Sequence, residues 1–233
     1  MRLEENVSKG TFKTIQGNLF VTGDISDVYS KEQFDSQFTV LEDRLQAQVD
    51  AAVETATTYR KGEIIEMLAG HADGRTLVGK SGSYTLSNVT AAQDLTTTHT
   101  SIGLDVDYVP PEGTKTVIYE AQFQIRFIDS DPILHFRATL DGTELEPSRT
   151  TFRIASASNH QLRYSLSVAI EVDSDSVDES KARIGSWTTA KTLSWTGRDY
   201  SNSYDGRLNT TNNWDGTGTD IFICPMVKIT AIA

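Results

Sequence analysis

The hydrophobic period of this chain changes once, near residue 70, and that change commits it to two kinds of structure in series. From Ser30 to Ala69 there is no proline and one glycine, Gly62, and apolar residues recur at steps of three or four. Phe34, Phe38, Leu41, Leu45, Val49, Ala52, Ala56 and Tyr59 form one stripe at helical spacing. From Tyr84 onward apolar and polar residues alternate, the signature of half-buried strands.

The spacing predicts a helix over 30–70. Ser30 and Gln33 stand as a capping box, and Tyr29 and Phe34 as a hydrophobic staple. Gly62 weakens the helix, and Gly70 with Gly74 ends it. A helix over that range would reach about 60 Å at 1.5 Å per residue. Its stripe is narrow, closer to a coiled-coil seam than to a core-facing helix. The polar flank (Glu42, Asp43, Arg44, Gln46, Gln48, Asp50) is suited to water. The reading is a parallel homotrimeric coiled-coil stalk, with oligomerisation through the eight stripe residues. A helix packed on its own β domain, and a dimer, stay open as alternatives.

In the second half, Val117, Tyr119, Ala121, Phe123, Ile125 and Phe127 alternate with Glu120, Gln122, Gln124 and Arg126. Leu134, Phe136, Ala138 and Leu140 do the same before the turn pair Asp141-Gly142. Leu162 to Val172 repeats the pattern, and shorter stretches lie at 84–89, 101–108, 151–155 and 187–195. The last run, Ile221–Ile232, is apolar on both faces, and Pro225 within it predicts an edge position or a bulge. About eight strands without intervening helices predict a mainly β head, a β-sandwich of jelly-roll type. The expected organisation is an N-terminal arm over 1–29, the coiled-coil helix over 30–70, a Gly-rich hinge over 71–80 and the head over 81–233. Residues 1–29 carry no sustained period and read as an arm that orders against a larger partner or frays.

Charge narrows the function. With 21 basic against 32 acidic residues the formal net charge is −11, which repels a phosphate backbone, so no nucleic-acid partner is expected. The longest apolar stretch, Ile221–Val227, is far shorter than the ~20 residues of a spanning helix, so no membrane insertion is expected either. The N-terminus lacks the apolar core of a signal peptide. The single cysteine, Cys224, rules out an internal disulfide and reads as a small buried hydrophobe.

Gly74 to Ser81 matches the phosphate-loop pattern G-x-x-x-x-G-K-[ST]. That chemistry needs a strand before the loop and a helix beginning at the lysine. A predicted helix precedes it and Ser81-Gly82-Ser83-Tyr84-Thr85 follows, so it reads as part of the hinge. His71, His99, His135 and His160 are dispersed, and the acids Asp173, Asp175, Asp178 and Glu179 lack the calcium-loop spacing. They read as a solvated turn. No metal, cofactor or catalytic residue is assigned, and no enzymatic activity is expected.

The stretch from Gly197 to Asp220 mixes rigid aromatics with adaptable polar groups, the composition of recognition loops. The receptor-binding candidates are Tyr200, Tyr204 and Trp214, to stack on sugar rings, with Arg198, Asp199, Asp205, Arg207, Asn212 and Asn213 to bond hydroxyls. A host-surface glycan is the candidate ligand. The alternative is that these aromatics simply tuck onto the sandwich.

Several motifs in order add a resemblance over about residues 95–233: Val109-Pro110-Pro111-Glu112-Gly113-Thr114, the Leu140-Asp141-Gly142-Thr143-Glu144 hairpin, Trp187-Thr188-Thr189-Ala190-Lys191-Thr192-Leu193, Trp214-Asp215-Gly216 and Ile229-Thr230-Ala231-Ile232-Ala233. Together they resemble the C-terminal domain of a group of tailed-bacteriophage virion proteins, common in phages of marine bacteria and described as fibre or structural proteins. The resemblance implies a virion component, a homotrimeric fibre with a β head, and brings no assigned site residues. The leading expectation is a virion fibre bound to other virion proteins through residues 1–29, with the head used for host attachment. The runner-up is a capsid cement or decoration protein without receptor binding; polysaccharide depolymerase and nucleotide hydrolase are further alternatives.

Overall fold

The computed structural model describes residues 6–7, 10–15, 18–23, 31–57, 59–128, 132–153, 160–201 and 206–233, with the backbone alone at 6–23, 31–34, 37 and 51–57. The chain divides into two compact units, Met1–Thr58 and Tyr59–Ala233.

In the first unit, β1 (Asn6–Val7), β2 (Gly10–Ile15) and β3 (Asn18–Gly23) form a three-stranded antiparallel sheet, and α1 spans Lys31–Thr57. The arm therefore has secondary structure that its broken period hid. Thr11-Phe12-Lys13-Thr14-Ile15 and Leu19-Phe20-Val21-Thr22 are rich in β-branched and aromatic residues, but each is too short to show a sustained alternation.

The helix is shorter than predicted. It ends at Thr57, with 27 residues or about 40 Å. Tyr59 lies beyond it, and the left-handed Gly62 (φ +82°) turns the chain. Residues Ile64–His71 then form β4, whose inward positions Glu66, Leu68 and Gly70 alternate with exposed ones. The β-branched pair Ile64-Ile65 and that alternation favour a strand. What decides it is antiparallel pairing with a strand some 160 residues later, from Met226↔His71 to Ile232↔Ile64. The coiled-coil range of 30–70 and the hinge of 71–80 are corrected accordingly, and the β unit begins at Tyr59.

The remaining strands of the second unit are β5 (Thr76–Val78), β6 (Ser83–Thr85), β7 (Gln93–Asp94), β8 (Thr100–Ser101), β9 (Val106–Tyr108), β10 (Thr116–Phe127), β11 (Ile133–Leu140), β12 (Thr143–Arg153) and β13 (Gln161–Glu171). They are followed by β14 (Lys191–Asp199), β15 (Gly206–Leu208), β16 (Thr210–Thr211), β17 (Ile221–Phe222) and β18 (Met226–Ile232). Two antiparallel sheets face each other. One runs β4-β18-β10-β13, with β15 and then β7 continuing beside β10 beyond the end of β18. The other runs β12-β11-β14, with β8 and β9 on the far edge of β14.

The alternation read from sequence sets the core. Val117, Tyr119, Ala121, Phe123, Ile125 and Phe127 are buried from one sheet, and Leu134, Phe136, Ala138, Leu140, Leu193 and Trp195 from the other. Rings meet between the layers: Tyr119 stacks on Trp195 at 6.0 Å, and Phe123 meets Phe136 at 5.3 Å. Such pairs add about 1 kcal/mol each to their area burial. The sandwich is thus as expected. The place of the last run is not: β18 is an interior strand between β4 and β10. Pro225 precedes it, outside any strand, and its carbonyl accepts the Ala72 amide at 2.9 Å.

Candidate functional site

The 197–220 stretch does not form one surface. Alternation along β14 sends Leu193, Trp195, Gly197 and Asp199 inward and Thr196, Arg198 and Tyr200 outward. Asp199 is 1% exposed and its Oδ2 accepts the Gly206 amide at 2.9 Å, so it ties β14 to the start of β15 and cannot meet a ligand at the surface. Arg207 is likewise committed. Its Nε and Nη2 bond Asp94 at 2.5 and 3.1 Å, and its Nη1 lies 3.5 Å from Asp220. Arg126, directly opposite Arg207 across the strands, also bonds Asp220. Asp220 bridges two like charges that would repel each other at that register. The Asp94 hydrogen bond raises the pKa of Arg207.

Trp214, 63% exposed, stands on a separate loop. Gln161 clamps the root of that loop: its Oε1 accepts the Thr211 hydroxyl and the Asn212 amide, and its Nε2 donates to the Asn212 carbonyl at 3.0 Å. Asn212 Oδ1 accepts the Asn213 amide at 2.6 Å. Asn213 (φ 56°) and Asp215 (φ 48°) are both left-handed, conformations that cost non-glycine residues energy, so Trp214 is held by a locally strained backbone. Tyr204 and Asp205 lie outside the described residues.

Arg198 and Tyr200 belong instead to the outer face of the β12-β11-β14 sheet. Register places Arg198 beside His135 and His135 beside Thr151. One outward row further on are Arg153, Ile133 and Tyr200. Tyr200 is 59% exposed, and its ring lies 6.3 Å from that of His135. His99 joins from the loop before β8, with Nδ1 3.4 Å from Thr196 Oγ1. Burial and the neighbouring Arg137 and Arg198 guanidinium groups depress the His99 pKa to about 4. Burial and Arg198 lower that of His135. Arg137 and Arg149 both bond Glu144. Arg153 and Arg198 make no ion pair among the described residues, although the chain carries an excess of acids. Sequence reading missed His99, His135 and Arg153, because their proximity is set by register between distant strands.

On α1, Phe38, Leu41, Leu45 and Val49 are 48–63% exposed, on the predicted stripe. The side chains of Phe34, Ala52 and Ala56 lie outside the described residues. Tyr59 is corrected: it sits outside the helix, half-buried in the second unit, with Lys80 Nζ 4.4 Å from its ring centroid.

The phosphate-loop pattern falls on the hairpin of β5 and β6. Its anion is internal. The Ser81 amide and hydroxyl donate to the Glu66 carboxylate at 2.9 and 2.7 Å, and a Cβ at Gly79 would collide with that same carboxylate. Lys80 is turned to Tyr59, and no helix follows. Asp173 pairs with Lys115 at 3.0 Å and Asp178 accepts the Ser180 hydroxyl at 2.7 Å, so two of the four turn acids are internally engaged. Among the described residues no group of three or more His, Cys, Asp or Glu could hold a metal ion. Burial raises the pKa of Cys224, opposing thiolate formation. No described helix is long and apolar enough to cross a membrane.

No family model matches the chain, and no curated protein matches it. Among solved structures it is similar to a chain in "Structure of infectious bursal disease virus Gx strain", at 10% identity and TM-score 0.29, over 71% of this chain and 35% of that one. It is similar to a chain in "CBM4 structure and function" at 9% identity and TM-score 0.18, over 72% of this chain and 92% of that one. A chain in "Structure of infectious bursal disease virus Gt strain" is similar at 9% identity and TM-score 0.22, over 75% of this chain and 61% of that one. The chain thus spans about a third of the length of the Gx-strain chain.

Proposed function

We propose that this chain is a bacteriophage virion fibre protein that works as a homotrimer. Residues 1–29 attach it to other virion proteins, α1 forms the stalk, and a jelly-roll head meets a host-surface glycan. The observation that carries the reading is the exposed apolar stripe of α1. Phe38, Leu41, Leu45 and Val49 follow one another at steps of three and four, a seam that copies of the same helix would bury.

Strand order supports the head. The chain crosses between sheets from β4 to β9, β10 and β11, makes the β11–β12 hairpin, then crosses again to β13, β14 and β18. The resulting orders, β4-β18-β10-β13 and β9-β14-β11-β12, are those of a jelly roll, an architecture used by capsid and lectin domains. The resemblance of residues 95–233 to tailed-phage virion proteins supports the same reading. Three heads on one stalk would raise a weak single-site affinity by avidity. No catalytic step is part of this function.

Native mass spectrometry of the full chain tests it. Three times 25.7 kDa is expected. A monomer at micromolar concentration would overturn the fibre.

A further inference from the structure

The outer face of the β12-β11-β14 sheet gathers positive charge on a protein whose formal net charge is −11. Arg153 on β12 and Arg198 on β14 flank the outward-facing Ile133 and His135 of β11, with Tyr200 closing one end. The two outer strands lie about 10 Å apart, two strand spacings. Like charges clustered on a sheet face destabilise it, and burial, with Arg137 and Arg198 adding to it, lowers the His99 pKa at the edge of this face. Glu144 and Glu146 engage Arg137, Arg149 and Lys181. Among the described residues Arg153 and Arg198 have no such partner, and Arg198 makes one long hydrogen bond, 3.5 Å, to the Thr97 carbonyl.

We propose that this face binds a carboxylate-bearing polysaccharide, a polyuronate, with Arg153 and Arg198 each gripping a sugar carboxylate and Tyr200 set against a ring face. The inference rests on the attachment reading above and names its ligand class. The planar fork of arginine matches a carboxylate with two parallel hydrogen bonds. Thr151, whose hydroxyl lies 3.0 Å from His135 Nδ1, and Thr196, whose hydroxyl donates to the Arg137 carbonyl at 3.3 Å, keep acceptor lone pairs for sugar hydroxyls. A nucleic acid fits less well: its dense phosphates need many cations, whereas this face offers two guanidinium groups outside any ion pair among the described residues, within a strongly acidic molecule.

The test is calorimetric titration of the full chain with polygalacturonate oligosaccharides, with neutral dextran oligosaccharides and a single-stranded DNA of like length as comparisons. The acidic saccharide is expected to bind most tightly. Arg153→Gln and Arg198→Gln are each expected to weaken it about tenfold, the loss of one charge-assisted fork. Arg198→Lys, which keeps the charge and loses the fork, is expected to fall between wild type and Arg198→Gln, and it serves if the glutamine variants fold poorly. Glutamine variants that bind like wild type, no preference for the acidic saccharide over dextran, or tighter binding of DNA would each overturn the inference. Adsorption to host cells separates it from the attachment reading. If the wild type and the double Arg153→Gln, Arg198→Gln variant both adsorb, and equally, this face falls and attachment stands. If the wild type binds polygalacturonate but no host cell, attachment falls and the saccharide-binding face stands.

Discussion

Tyr108 donates a 2.9 Å hydrogen bond to Glu66, joining β9 of one sheet to β4 of the other through the interior of the sandwich. Both residues are buried. The carboxylate also takes the Ser81 amide and hydroxyl, and Ser81 Oγ lies 2.7 Å from the Tyr84 hydroxyl, which donates to the Val109 carbonyl at 2.8 Å. Burial first, and then the Glu66 charge, raise the Tyr108 pKa. A satisfied network of this kind is costly to interrupt, because each orphaned donor keeps its desolvation penalty.

Glu66→Ala is therefore expected to destabilise the β unit by about 3 kcal/mol, and Tyr108→Phe by about 1–2 kcal/mol. Their double variant should lose less than the sum, since they share one bond. Urea unfolding of the full chain, followed by tryptophan fluorescence, measures this. A Glu66→Ala loss below about 0.5 kcal/mol would show that the network contributes nothing.

His99 makes stability depend on pH. Its folded pKa of about 4 lies below the ordinary 6.5, so the unfolded chain binds the proton more readily. The contribution is complete above pH 6.5, declines as pH falls from 6.5 to 4, and is exhausted below 4. His99→Asn should flatten the stability profile within that window. An NMR titration midpoint for His99 at or above 6.5 would contradict this account.

Assembly is expected to depend on the helix stripe alone. Leu45→Asp, at a position 61% exposed in the single chain, should convert a trimer to monomers while the near-ultraviolet spectrum of the β unit stays unchanged. A variant that keeps the wild-type mass would place the interface elsewhere.

The Trp214 loop separates anchoring from stability. Trp214→Ala removes an exposed ring and should change unfolding free energy by less than about 0.5 kcal/mol while reducing adsorption to host cells. Gln161→Ala, which removes three hydrogen bonds at the loop root, should reduce adsorption with Trp214 still present. Unaltered adsorption in both variants would remove this loop from the attachment surface.

The sequence by itself determined the class of each half. A hydrophobic period is a local property, so the start of α1, the strands β10, β11 and β13, and the rings that fill the core were legible from side-chain spacing. The same alternation held a signal that residue type obscured: Asp199 continues the inward phase of Leu193, Trp195 and Gly197. Tertiary structure decided the rest, through pairing between residues far apart in the chain. Residues 64–71 carry both periods, and the β18 backbone made them a strand. Strand register turned Arg207 from a candidate ligand contact into a clamp on Asp94 and Asp220, and gathered Arg153, His135, Arg198 and Tyr200 onto one face. A single strand specifies which of its residues point outward, and only its partners' backbone hydrogen bonds fix which residues become neighbours.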